Sequence, residues 1–304
     1  MNRASVLVLA SLSGCYFDSE EPLPPLEGEV YRYVVSDLRV PTNNNDAREY
    51  GLDLNDDKTP DNQLGMVFGL LESQGLGTAS TAREALLRGG LVMLAELQTV
   101  SLDNSDDAGL TTFLGGDPVP NACLDEANIA TCGQHLMGTG SFTIDRDTAS
   151  HQARGPIENG RFVESTGIMP VELAISIAGV IRLDLRGARV KLTQLTPDGA
   201  EGVLAGAIAP VDIDGVVIPE AQQQIERIVS TECTGTSTLS SPCGCTGRSD
   251  TLQDLFDDNG DCHVDLDEVA TNSVVQALLA PDLRMHGMDM LSFGVGVSFA
   301  RATF

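Results

Sequence analysis

The sequence predicts an α+β protein, mainly antiparallel β-sheet, with a helix–loop–helix unit late in the chain. Two patterns predict the sheet. Ile181, Leu183 and Leu185 alternate with Arg182, Asp184 and Arg186, and past Gly187 the residues Val190 and Leu192 alternate with Arg189, Lys191 and Thr193. Period-two alternation of this kind marks a strand with one wet face, and the break at Gly187 reads as the turn of an antiparallel hairpin. Near the C-terminus Phe293, Val295, Val297 and Phe299 alternate with Gly294, Gly296 and Ser298, so one side packs while the other admits a close neighbour. The third pattern is helical: residues 249–256 and 268–279 flank an acidic loop as two helices.

Taken in order, the chain opens on an address. Arg3 supplies a short basic region, residues 4–11 an apolar run, and Leu12-Ser13-Gly14-Cys15 follows. The run falls well short of the roughly 20 residues that span a bilayer, so it reads as a cleaved leader over residues 1–14. These residues resemble the lipobox of bacterial lipoproteins, which implies lipid on Cys15 and a membrane as partner through that anchor. Tyr16 in place of an aspartate then points to the outer membrane. Residues 15–29 are acidic and proline-rich and form a tether, because such composition buries too little apolar surface to fold.

A β-rich domain is expected over residues 30–230. Tyr31, Tyr33 and Val35 form one strand face, and Leu91, Met93, Ala95 and Leu97 another. Between them a helix spans 80–88, starting at a capping hydroxyl and stopping at Gly89-Gly90. A further helix spans 219–229, opening on a proline whose missing N–H costs least in the first turn. Residues 231–304 form a cysteine-rich segment and terminal strand packed on the same core. Strand-like segments are too few for an outer-membrane barrel.

Charge narrows the function. With 18 basic against 44 acidic side chains and a net charge of −26, nucleic acid and anionic lipid are poor partners and divalent cations the natural complement. Aromatics are 4% of the chain and tryptophan is absent, which disfavours a stacking platform for sugars or bases.

The acidic loop of the late unit carries the chemistry. Asp257, Asn259, Asp261, Asp265 and Glu268 stand at positions 1, 3, 5, 9 and 12, with apolar Val264 at position 8 and His263 placed to offer its carbonyl at position 7. Ca²⁺ takes six to eight hard oxygens at about 2.3–2.6 Å, and a chain supplies them by winding round the ion. This spacing resembles an EF-hand loop, which implies calcium as the cofactor. Cys262 departs from the pattern at position 6, where glycine makes the sharp turn; a non-glycine residue held at positive φ costs about 1–2 kcal/mol there. A disulfide through Cys262 is one way to fix that turn. Upstream, Asp53, Asn55, Asp57 and Asp61 repeat positions 1, 3, 5 and 9, with Thr59 at position 7, and resemble the short calcium loops of dockerins and thrombospondin type 3 repeats. Lys58 stands in the glycine position and Leu64 where the closing glutamate belongs, so this loop is the weaker one.

Six cysteines remain if Cys15 carries lipid: Cys123, Cys132, Cys233, Cys243, Cys245 and Cys262. An even remainder in an exported chain favours disulfides, and six cysteines allow fifteen connectivities. Cys123 with Cys132 is the best single pair, and the other four cluster around the calcium loop. Zinc on Cys243, Cys245, Cys262 and His263 is the sharper alternative. Familiar catalytic motifs are missing, which leaves His135 and His151 in polar loops as isolated candidates for a hydrolytic site.

The whole chain resembles uncharacterised bacterial lipoproteins that pair an acidic loop near the start with one EF loop near the end, a resemblance that implies no activity. The reading is a lipid-anchored envelope or surface protein whose calcium is mainly structural, with an interaction or adhesive role toward a protein or envelope partner. A calcium-stabilised hydrolase and a carrier of lipid or another apolar ligand between sheets are the alternatives. The second draws on the small-residue strand at 293–299.

Overall fold

Long alternating strands with apolar inner faces have to find partners for both edges, and here they do so by closing on themselves. The structure is a computed structural model that describes residues 24–73, 77–176, 179–234 and 243–304. Its strands are β1 (Glu29–Arg39), β2 (Met93–Thr99), β3 (Ser105–Val119), β4 (Gly140–Asp145), β5 (Ala153–Glu158), β6 (Arg161–Ser176), β7 (Gly179–Thr196), β8 (Gly199–Ile208), β9 (Leu283–Met285) and β10 (Met288–Thr303). Antiparallel pairing runs β1–β2–β3–β5–β6–β7–β8–β10 and back to β1, a closed ring of eight strands. Strand β4 is wedged between β3 and the parallel end of β10, and β9 folds back on β10. The fold is α+β with a mostly antiparallel sheet, as the alternation predicts.

An eight-stranded ring is just wide enough for its own side chains to fill. Val35, Met169, Leu204 and Phe299 converge from four strands around a residual void of about 10 Å³, so the interior is solid. The outward residues Arg182 and Asp184 of β7 are exposed while Leu183 and Leu185 are buried. That is the reverse of the apolar outer band of a membrane barrel. More strands are present than the alternation reveals: β3 and β6 carry glycine and proline within them and β8 carries glycine, which hides their pattern.

The hairpin expected at Gly187 is also corrected. Residues 179–196 form one strand, and the burial parity moves from Leu183 and Leu185 to Val190 and Leu192 through a bulge. Gly187 takes φ +55° there, a conformation glycine adopts without a Cβ clash. A second shift near Gln194, at φ +54°, brings Leu195 inward. The turn proper falls at Pro197–Asp198, between β7 and β8.

Helices gather at one end of the ring, because both helical insertions leave and re-enter it there. Between β1 and β2 lie α1 (Asn44–Glu49), α2 (Gln63–Ser73) and α3 (Thr78–Leu87). Between β8 and β9 lie α4 (Pro210–Asp212), a π-turn over Ile213–Val217, α5 (Ile218–Glu232), α6 (Arg248–Phe256), α7 (Leu266–Thr271) and α8 (Ser273–Leu278). Helix α3 ends as expected, with Gly89 at φ +72° after the cap. The single helix expected over 268–279 is instead two, because Asn272 is extended and its side-chain oxygen caps Val274 and Val275 N–H. Helices α1 and α2 went unread, α2 because two glycines interrupt its apolar face.

Among the described residues no helix is long and apolar enough to cross a membrane. Cys15, the leader over 1–14 and most of the expected tether lie outside the described residues. Strand β10 pairs with both β1 and β8, so the cysteine-rich segment and the rest of the chain share one core.

Candidate functional site

The loop between α6 and α7 is built by its own acids. Asp257 caps the end of α6 and its Oδ1 accepts the N–H groups of Gly260 and Asp261 at 2.7 and 3.1 Å; its Oδ2 accepts Cys262 N–H at 2.9 Å. Asn259 Oδ1 accepts Asp261 N–H at 2.8 Å, and Asp261 Oδ1 accepts His263 N–H at 2.9 Å. Gly260 and Cys262 are both left-handed, at φ +74° and +70°. Asp265 and Glu268 close the turn as a capping box on α7: Asp265 accepts Glu268 N–H, and Glu268 Oε2 accepts Asp265 N–H at 2.9 Å. Glu268 Oε1 reaches across to Asn259 N–H at 3.2 Å, tying position 12 to position 3.

The loop at residues 53–61 repeats this wiring. Asp53 Oδ1 and Asn55 Oδ1 both accept Asp57 N–H, at 3.1 and 3.0 Å. Asp53 Oδ2 accepts Lys58 N–H and Asp57 Oδ1 accepts Thr59 N–H, at 2.8 and 2.7 Å. Asp56 and Lys58 take the left-handed positions, φ +65° and +72°. The Thr59 N–H holds the Asp57 carboxyl below the usual carboxylate range, whereas burial pushes that of Asp61 up. Asp61 Oδ2 accepts Leu54 N–H at 2.8 Å, and a bridge between Leu52 and Asp61 pins the two ends. Leu64 points into the core, so no carboxylate arrives at position 12.

The six described cysteines form three disulfides, Cys123–Cys132, Cys233–Cys245 and Cys243–Cys262. The first is the expected pair, and the other two bracket α6 and the loop after it. The third ties position 6 of that loop to the segment before α6. Among the described residues, Cys243, Asp257 and Cys262 are the group whose ligand atoms lie within 4.8 Å of one another. Both sulfurs are committed to each other, and a disulfide has no thiolate to offer a metal. The zinc arrangement is therefore overturned by the connectivity: all three of its cysteines are bonded, one of them to Cys233.

Sequence reasoning missed the clamp on the far side of the loop. Gln222 and Glu226 sit one turn apart on α5; Gln222 Nε2 donates to Val264 C=O and Glu226 Oε2 accepts Val264 N–H, each at 2.7 Å. Glu226 Oε1 also meets His263 Nδ1 at 3.1 Å and raises the pKa of that exposed ring. The i, i+4 spacing of two polar residues was the available signal, but nothing in the sequence says which loop they face.

His135 is buried, its ring edge-to-face with Phe142 at 6.0 Å between centroids, and burial pushes its pKa down. His151 is exposed. His135 lies on a short turn between β3 and β4, and His151 in the connection between β4 and β5. The close neighbour expected at the 293–299 strand is the chain itself: a Cβ on Gly294 would collide with the Tyr50 carbonyl, and Asn62 bonds the Gly294 N–H and C=O at 2.9 Å each. That face of the strand is therefore taken by the chain's own residues. No family model, no curated protein and no solved structure matches the chain, so its site stands on its own geometry.

Proposed function

We propose that this is an exported, lipid-anchored protein that binds Ca²⁺ at residues 257–268, where the ion orders the cap at one end of the ring. The observation that carries the reading is the shared wiring of the two acidic loops: four side-chain-to-backbone bonds and two left-handed residues recur at the same positions. Chance acidity does not repeat a backbone. Asp257, Asn259, Asp261 and Asp265 supply side-chain oxygens, His263 its carbonyl, and Glu268 two oxygens from the start of α7. These are hard oxygen donors with no competing thiolate, a set that suits Ca²⁺ over zinc.

The loop at residues 53–61 is the weaker site, with Asp53, Asn55, Asp57, Asp61 and the Thr59 carbonyl as ligands and no bidentate closure. Three disulfides support an oxidising compartment. There calcium is plentiful, so the sites are filled rather than switched. The role that follows is a calcium-stabilised interaction surface on a leash anchored at Cys15 in the outer membrane, facing a protein or envelope partner.

The test is calorimetric. After chelation the chain takes up Ca²⁺ with heat and its melting point rises; a hundredfold excess over Kd adds about 2.7 kcal/mol. Glu268→Gln removes the tighter phase and leaves the weaker one. A melting point indifferent to millimolar Ca²⁺ would sink the reading.

A further inference from the structure

We infer that the helical cap encloses a binding site for a single-chain amphiphile with an anionic head. Between α2, α5, α6, α8 and the rim of the ring lies a cavity of about 550 Å³. That is within the 300–1,000 Å³ range of small-molecule sites, and it contrasts with the filled interior of the ring next to it. The walls are apolar on every side: Phe68 from α2, Leu183 from β7, Ile225 from α5, Leu252 from α6 and Leu278 from α8. Water in such a space lacks the two to four polar partners that hold an ordered molecule. An alkyl chain makes dispersion contacts along its whole length.

The polar lining is confined to Gly247, Arg248 and Thr251, on one turn at the start of α6. Arg248 gives Nε and Nη2 to a single oxygen of Glu232, at 2.9 and 2.6 Å, two of the five donors a guanidinium carries. It is half exposed, and a cation at this mouth stands out in a chain of net charge −26. The occupant is thus apolar for most of its length and carries its negative charge at one end, as a fatty acid does. Leu70, Leu255 and Val274 line the opening and are exposed, which gives the chain an apolar way in.

None of the proposed calcium ligands lines this cavity, although Phe256 and Val269, which flank the acidic loop, do. The test is titration of the full chain with cis-parinaric acid, once with Ca²⁺ and once with chelator. The expected result is saturable binding of one probe per chain, displaced by dodecanoate. Ile225→Trp and Leu183→Trp, which fill the cavity, weaken the probe at least tenfold without lowering the melting point; two positions guard against one variant failing to fold. Arg248→Gln weakens dodecanoate by severalfold and leaves dodecanol unchanged. Binding lost in chelator alone leaves the cavity standing and makes the ion its gatekeeper. Absence of saturable binding in both conditions, or binding indifferent to both tryptophans, overturns the inference, as does self-association that the tryptophan variants abolish in place of probe binding.

Discussion

The two acidic loops share a backbone and differ in what holds it. At residues 257–268 the turn is closed by Glu268, bridged to Cys243 through Cys262, and clamped from α5 by Gln222 and Glu226. At residues 53–61 the same turn has Leu64 at the closing position, Lys58 unbridged at position 6, and an ion pair from Asp56 to Arg189 on β7 at 2.8 Å. The lesson is that a short Asp-x-Asn-x-Asp run suffices to set the local hydrogen bonds. Distant elements decide how firmly the turn is braced, and on the proposed function how tightly it holds an ion. Removing those supports one at a time should move the second loop toward the first.

The largest expected effect comes from the Cys243–Cys262 bridge. Replacing both by serine removes a crosslink over 19 residues, which in the chain-entropy model destabilises by about 3 kcal/mol. It also leaves a serine at φ +70°, a conformation that disfavours any side chain. Cys243→Ser with Cys262→Gly loses the same crosslink but relieves that conformation, recovering about 1 kcal/mol. Denaturant unfolding in saturating Ca²⁺ compares the two variants. Equal stabilities would mean that position 6 carries no strain, and that the disulfide does not compensate for a missing glycine.

How much of this was legible in the sequence depends on the range of the forces involved. The ligand spacing, the Cys123–Cys132 pair, α3 and the C-terminal strand are local patterns, and each could be read from a few neighbouring residues. The closure of the ring was not, because it is decided by pairings such as Tyr33 with Arg301, from opposite ends of the chain. Gly187 shows a subtler failure. The change of parity around it was visible, yet a bulge and a hairpin produce the same pattern, and only the partner strand β8 distinguishes them. The Gln222–Glu226 clamp and the cap cavity were hidden for the same reason: each needs helices far apart in the chain to meet at one end of the ring.

A middle-sized effect is expected at Lys58. Its φ of +72° disfavours a side chain, and no disulfide holds it. Lys58→Gly should stabilise the chain by under about 1 kcal/mol, since relief of the left-handed conformation is partly offset by the greater freedom of glycine in the unfolded chain. It also removes a cation from beside the ligands, so Ca²⁺ binding at this loop should tighten, read by calorimetry in a Glu268→Gln background where the first loop is isolated. A destabilised variant would show that the lysine side chain makes a contact outweighing its backbone.

The smallest effect, and the one that best separates charge from geometry, is at Arg189. Its pair with Asp56 is exposed on the acid side, and surface pairs of this kind contribute about 0.2–1 kcal/mol at most. Its guanidinium nevertheless places positive charge next to a loop that, on the proposed function, attracts a dication. Arg189→Gln therefore lowers stability slightly while tightening Ca²⁺ at residues 53–61, about twofold at low salt if the interaction has the strength of a surface pair. With a Debye length near 3 Å at 1 M ionic strength the gain should vanish. Were the tightening to persist at high salt, the cause would lie in a rearranged loop rather than in charge. The difference between the two loops would then be one of shape throughout.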